Sequence, residues 1–202
     1  MNLHAPEYSV LAQSMRLLNL EPSDVAPEAP ESLPPAAQPA PVGLIDLAAA
    51  TDDDLAATAF GYRGPDEGES TVDVWLLLRD RGGWRALGGG SSIGDLSDLA
   101  RLPEEDLGGH LVPGMSGEGL YGRRRFGRLR RSAGYKLIRA SLDVEAVKVI
   151  TTLGRMKIRT RVVPVPANGY LLHVWHGDEP MFEPVLIPGG TAQHPSPEDA
   201  LL

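Results

Sequence analysis

Apolar positions along this 202-residue chain recur with two different periods. Near the N terminus Leu11, Met15 and Leu18 fall at i, i+4 and i+7, and Val10 and Leu17 widen the stripe. That spacing predicts a short amphipathic helix over residues 7–19, which Pro22 stops. From Glu21 to Val42 seven prolines alternate with Ala, Glu and Ser, with almost nothing to bury, so this stretch reads as an extended, disordered linker.

Beyond the linker a period of two takes over. Val72, Val74, Leu76 and Leu78 line one face of a strand over 70–78, with Trp75 and Leu77 on the other. Apolar residues on both faces predict a central strand, paired as a hairpin with 84–88. Residues 135–142, 144–152, 156–163, 170–175 and 182–187 read as further strands, with Asn168-Gly169 as a turn. Pro184 and Pro188 bracket the last of these and place it at a sheet edge. Other stretches lack the alternation. Residues 43–47 predict a short strand, and 52–60 a helix capped by Thr51 with Asp52, Asp53 and Asp54 in its first turn. Gly88–Gly94 predicts a loop running into a short helix near 96–102, and 103–122 reads as loop throughout.

The expectation is one mostly β globular domain over 43–188, an antiparallel β-sandwich or barrel-like sheet with minor helices. A helix within 1–20 is tethered to it by 21–42, and 189–202 forms a solvated tail. The ending Gly-Tyr-Leu-Leu-His-Val-Trp, residues 169–175, follows a strand hairpin and resembles small actinobacterial β-domains of uncharacterised function. The resemblance implies a β fold for the C-terminal part and carries no active site with it.

Composition adds little about chemistry. There is no cysteine, hence no disulfide, thiol nucleophile or thiolate metal ligand. No run approaches a membrane span, and the first twenty residues lack a signal-peptide pattern, so a cytoplasmic protein is the expectation. Charge changes the picture more. The chain is net −8, yet residues 119–161 hold 13 basic and 2 acidic side chains, net +11. Residues 1–118 are net −14 and 162–202 net −5. A positive block between two acidic ones must face water, an anionic partner or the acidic part of its own chain.

Its densest part is Arg123, Arg124, Arg125, Phe126, Arg128, Arg130 and Arg131, six arginines in nine residues. Lys148, Lys157, Arg159 and Arg161 alternate with apolar residues on the following hairpin and predict a ladder of cations on one face. These eleven residues are the candidate partner-binding set. They fit an acidic protein surface or self-association. Nucleic acid is the alternative, with Tyr121 and Phe126 stacking on bases, although dedicated nucleic-acid domains are basic overall. Leu11, Met15 and Leu18 form either a docking helix for another protein or a face that folds back onto the domain.

No catalytic constellation is predicted. Gly88–Gly94 lacks the Lys of a phosphate loop and the spacing of a dinucleotide fingerprint, and Gly114-Met115-Ser116-Gly117 is no nucleophile elbow. Glu104/Glu105 lie in a polar stretch where nothing separates their pKa values. His173 and His176 sit three apart on a strand and so face opposite sides. A metal-dependent hydrolase built from His173, His176, Asp178 and Glu179, with His110, is a second alternative that would need a bend to bring them together. No cofactor and no small-molecule substrate is indicated.

Overall fold

The computed structural model describes residues 10–19, 44–63, 70–81, 83–93, 99–121, 131–153 and 156–188. The expectations for the linker 21–42, for the segment 122–130 and for the tail 189–202 lie outside the described residues. The chain is mostly β. Helix α1 (Val10–Leu17) is followed by strands β1 (Leu44–Asp52), β2 (Leu55–Arg63), β3 (Ser70–Asp80) and β4 (Gly83–Ile93). Helix α2 (Glu104–Leu107) then precedes β5 (Leu111–Tyr121), β6 (Arg131–Ala140), β7 (Val144–Leu153), β8 (Met156–Pro164), β9 (Tyr170–His176) and β10 (Met181–Leu186).

The strands form three antiparallel sheets, ordered β1-β2-β3-β4, β5-β6-β9 and β10-β7-β8. They stack as layers, with β5-β6-β9 in the middle. Leu47, Leu55, Ala57, Val74, Leu76 and Leu78 of the first sheet meet Tyr135, Leu137, Leu172 and Val174 of the middle one in the main core. β1 also lies against β9, and β4 against β5, so the two sheets meet along both edges without closing into a barrel. Period-two alternation then gives the middle sheet a second apolar face. Ile138, Ala140 and Leu171 point away from the main core and pack on Val144 and Val147 of the third sheet. On the outer side of the first sheet, Met15 of α1 packs with Ala56, Leu77 and Trp84.

Four expectations need correction. Residues 52–60 are not a helix: Asp52 pairs with Leu55 across a two-residue turn in which Asp53 takes a left-handed φ of 52°. The Ala-rich run has helical propensity, but β2 is a central strand buried on both sides. Leu55, Ala57 and Ala59 face the main core, while Ala56 and Thr58 face α1. Burial on two faces outweighs a local preference of a few tenths of a kcal/mol per residue. Gly88–Gly90 belongs to β4 rather than to a loop. Gly89 lies opposite Trp75, whose ring crosses it so closely that a Cβ would stand 2.7 Å away. The glycine is there to admit the ring. Residues 99–103 are not helical, and the short helix of this region is Glu104–Leu107. Finally, 111–121 is strand β5 and not loop; its Gly117 and Gly119 sit beneath Tyr135 and Leu87.

Candidate functional site

The register divides the predicted ladder of cations. Arg161 stands opposite Val149 and Arg159 opposite Thr151, but Lys148 stands opposite Val162. Directly opposed residues share a face, and neighbours along a strand do not. Lys148 therefore projects from the other side of the sheet from Arg159 and Arg161, where its second cross-strand neighbour is Glu183. Lys157 pairs with Thr152 beyond a register shift, and its side chain lies outside the described ones. The one-sided ladder of four is thus corrected to the pair Arg159 and Arg161. Both are exposed, on an outer strand of the third sheet. Among the described residues neither is in an ion pair.

The other basic segment is anchored by its ends. Tyr121 pairs with Arg131, so residues 122–130 connect the two strands of one hairpin. Arg131 is exposed, whereas the other six members of the set from Arg123 to Arg130 lie outside the described residues. Tyr121 is 6% exposed, and its hydroxyl lies 2.5 Å from Nδ1 of His176. His176 Nε2 is in turn 2.8 Å from Oδ1 of Asp54 in the β1–β2 turn. Burial, reinforced by Asp54, raises the Tyr121 pKa above its usual value, and the Arg131 guanidinium works against that rise. The Asp54–His176–Tyr121 chain links the first and middle sheets at the foot of the basic hairpin.

His173 lies on the opposite face of β9 from His176, as strand alternation requires. It packs edge-on against Phe182 at 5.7 Å and stacks on Trp175 at 6.4 Å. Burial and the nearby Arg161 hold its pKa down at about 4, against the pull of Asp52. Arg161 and Asp52 therefore both lie close enough to His173 to act on its charge. Lys136 is neutralised within the fold: its ammonium is 2.5 Å from Glu179 and lies over the Phe182 ring.

The other sequence candidates separate. His173, His176 and Asp178 do not converge, and Glu179 is taken by Lys136. His110 belongs to a different place altogether, beside Glu104 and Asp143 at the opposite ends of β5 and β6. Asp143 is partly buried, which would raise its pKa, but the Ser141 hydroxyl, its own backbone amide and His110 together lower it. No spacing pattern in the sequence links these residues, because the β6–β7 turn brings Asp143 to His110 only once the sheets have stacked. For the docking-helix set, Met15 is 5% exposed and Leu18 packs partly against the same cluster, so this face is covered by the chain itself. The Leu11 side chain lies outside the described ones. Among the described residues no helix is long and apolar enough to cross a membrane.

No family model matches the chain, and neither a curated protein nor a solved structure is similar to it.

Proposed function

We propose that this is a non-catalytic binding or assembly protein that holds an acidic protein surface through the exposed Arg159 and Arg161 of β8 and through the Arg-rich segment 123–131 with its six arginines. The observation that carries the reading is that Arg159 and Arg161 are exposed without a carboxylate partner among the described residues, although the chain has an acidic excess. Lys136, Arg16 and Arg85, by contrast, are each matched to an acid within the fold. Unmatched, exposed guanidinium groups favour planar, bidentate contact with carboxylates, and they steer encounter with a negative surface.

Fluorescence anisotropy of a labelled acidic peptide, with mixed-sequence DNA and RNA in parallel, tests it at about 50 and 200 mM salt. The peptide should bind, and the double substitution Arg159→Glu with Arg161→Glu should weaken it by about tenfold or more, the scale of losing close charge pairs. Tighter binding of nucleic acid with a steep salt dependence would replace this reading by the nucleic-acid one. Peptide binding that ignores the double substitution would remove the arginine pair from any account of partner choice.

A further inference from the structure

A second site stands apart from the arginines. Three side chains with metal-ligating atoms converge where α2, the start of β5 and the β6–β7 turn meet. Nδ1 of His110 lies 2.8 Å from Oδ2 of Asp143 and 3.5 Å from Oε2 of Glu104, and all three donor atoms fall within 4.8 Å of one another. Donors sharing one ion at about 2.1 Å stand roughly 3.0–3.5 Å apart, and the two separations from His110, 2.8 and 3.5 Å, are close to that.

The surroundings fix the donors. The Ser141 hydroxyl donates to Oδ1 of Asp143, which leaves Oδ2 to face the histidine. The Ser141 amide donates to the His110 carbonyl at 3.0 Å, holding the backbone that carries the ring. Such outer contacts orient ligands in metal sites. Arg101 is the nearby cation. Its amino group is engaged by the carbonyls of Ser141 and, at 2.5 Å, of Val144, so it braces the turn without capping the carboxylate.

Nδ1 of His110 is sealed from solvent and faces Oδ2 of Asp143 at 2.8 Å, so an ion would take the place of a His–Asp contact already set up by the fold.

We propose that Glu104, His110 and Asp143 bind a first-row divalent cation, with Zn²⁺ the best match. One imidazole nitrogen with two carboxylates favours zinc-like ions over Mg²⁺ or Ca²⁺, which take oxygen alone. Three protein donors leave at least one coordination position to water or to a ligand. The ion would join α2 and the start of β5 to the β6–β7 turn. This inference is independent of the arginine reading.

Isothermal titration of Zn²⁺ into the full untagged chain, stripped with chelator beforehand, tests it beside Glu104→Gln and His110→Ala. Both residues are at the surface, and melting of the metal-free variants checks their fold. The expected result is one Zn²⁺ per chain at micromolar or tighter affinity, a higher melting temperature with Zn²⁺, and at least tenfold weaker binding in each variant. His176→Ala, at the other end of β6 and β9, should bind as the parent does. Absence of saturable binding would overturn the proposal, as would binding that survives both substitutions unchanged.

Discussion

Burial of the His173 imidazole against Phe182 and Trp175, with Arg161 beside it, lowers its pKa from 6.5 to about 4. The unfolded chain then takes up the proton more readily than the folded one. This contribution to stability is fully present above pH 6.5 and is lost as the pH falls towards 4. The shift corresponds to about 2 kcal/mol after allowing for partial solvent access. Urea unfolding at pH 7 and pH 4.5 should show the parent losing about 2 kcal/mol more than His173→Gln on acidification, since the variant has no proton to take up there. Equal losses in the two proteins would mean that the acid sensitivity arises elsewhere. Sequence spacing placed His173 and His176 on opposite faces. It carried no information on which of the two would be enclosed, because that depends on β10 folding over one side of β9.

Helix α1 illustrates how an element with little intrinsic stability is held by its contacts. Eight residues are too few to be helical alone in water. Met15 fills a site between Ala56, Leu77 and Trp84, and the Ser14 hydroxyl shares a buried hydrogen bond of 2.6 Å with that of Thr58. Arg16 makes an ion pair with Asp46 at 2.6 Å, but both side chains are solvent-exposed enough that it adds at most about 1 kcal/mol. Met15→Ala should therefore cost about 2–3 kcal/mol, in the lower part of the range for truncating a buried methionine, because the helix can lift away and leave no cavity. The Trp84 environment reports the loss: its fluorescence should shift to the red and the urea midpoint should fall. An unchanged midpoint would show that the helix contributes nothing to the fold. The helix itself was legible from the i, i+4, i+7 spacing. Its docking place was not, since the same stripe serves equally well for a partner's groove.

At the scale of the molecule, the layers are tied together by a few polar contacts at their edges as well as by the two cores. Asn168 donates from Nδ2 to the Leu47 carbonyl at 2.7 Å and accepts from the Tyr170 amide at 3.1 Å, joining β1 to the turn before β9. Asn168→Ala removes the donor to the part-buried Leu47 carbonyl and the side-chain acceptor of the Tyr170 amide, and should cost about 1–3 kcal/mol. It should leave the affinity for an acidic peptide unaltered, because the arginines are held by other strands. Thermal melting and anisotropy on the same variant separate the two effects. A loss of binding as large as the loss of stability would show that the sheets must be locked together for the arginine surface to exist.

The chain's own residues determined the class of fold and much of its order. The hairpin of 70–78 with 84–88, the strands read at 135–142, 144–152, 156–163, 170–175 and 182–187, and the N-terminal helix all follow from periodicity. What failed were segments whose local signal points elsewhere: the alanine-rich β2 and the glycine-rich β4 and β5. Alanine favours a helix in isolation, and glycine favours loops, but between stacked sheets a small residue is what lets Trp75, Tyr135 or a neighbouring strand come close. The charge block was evident from a count. The division of Lys148 from Arg159 and Arg161, and the meeting of Glu104, His110 and Asp143, were decided only by strand register and by sheet stacking. A sequence states which residues alternate along one strand. Which residues face each other across strands depends on where the hydrogen-bonded ladders settle, and that is fixed only when the apolar faces of all three sheets are buried together.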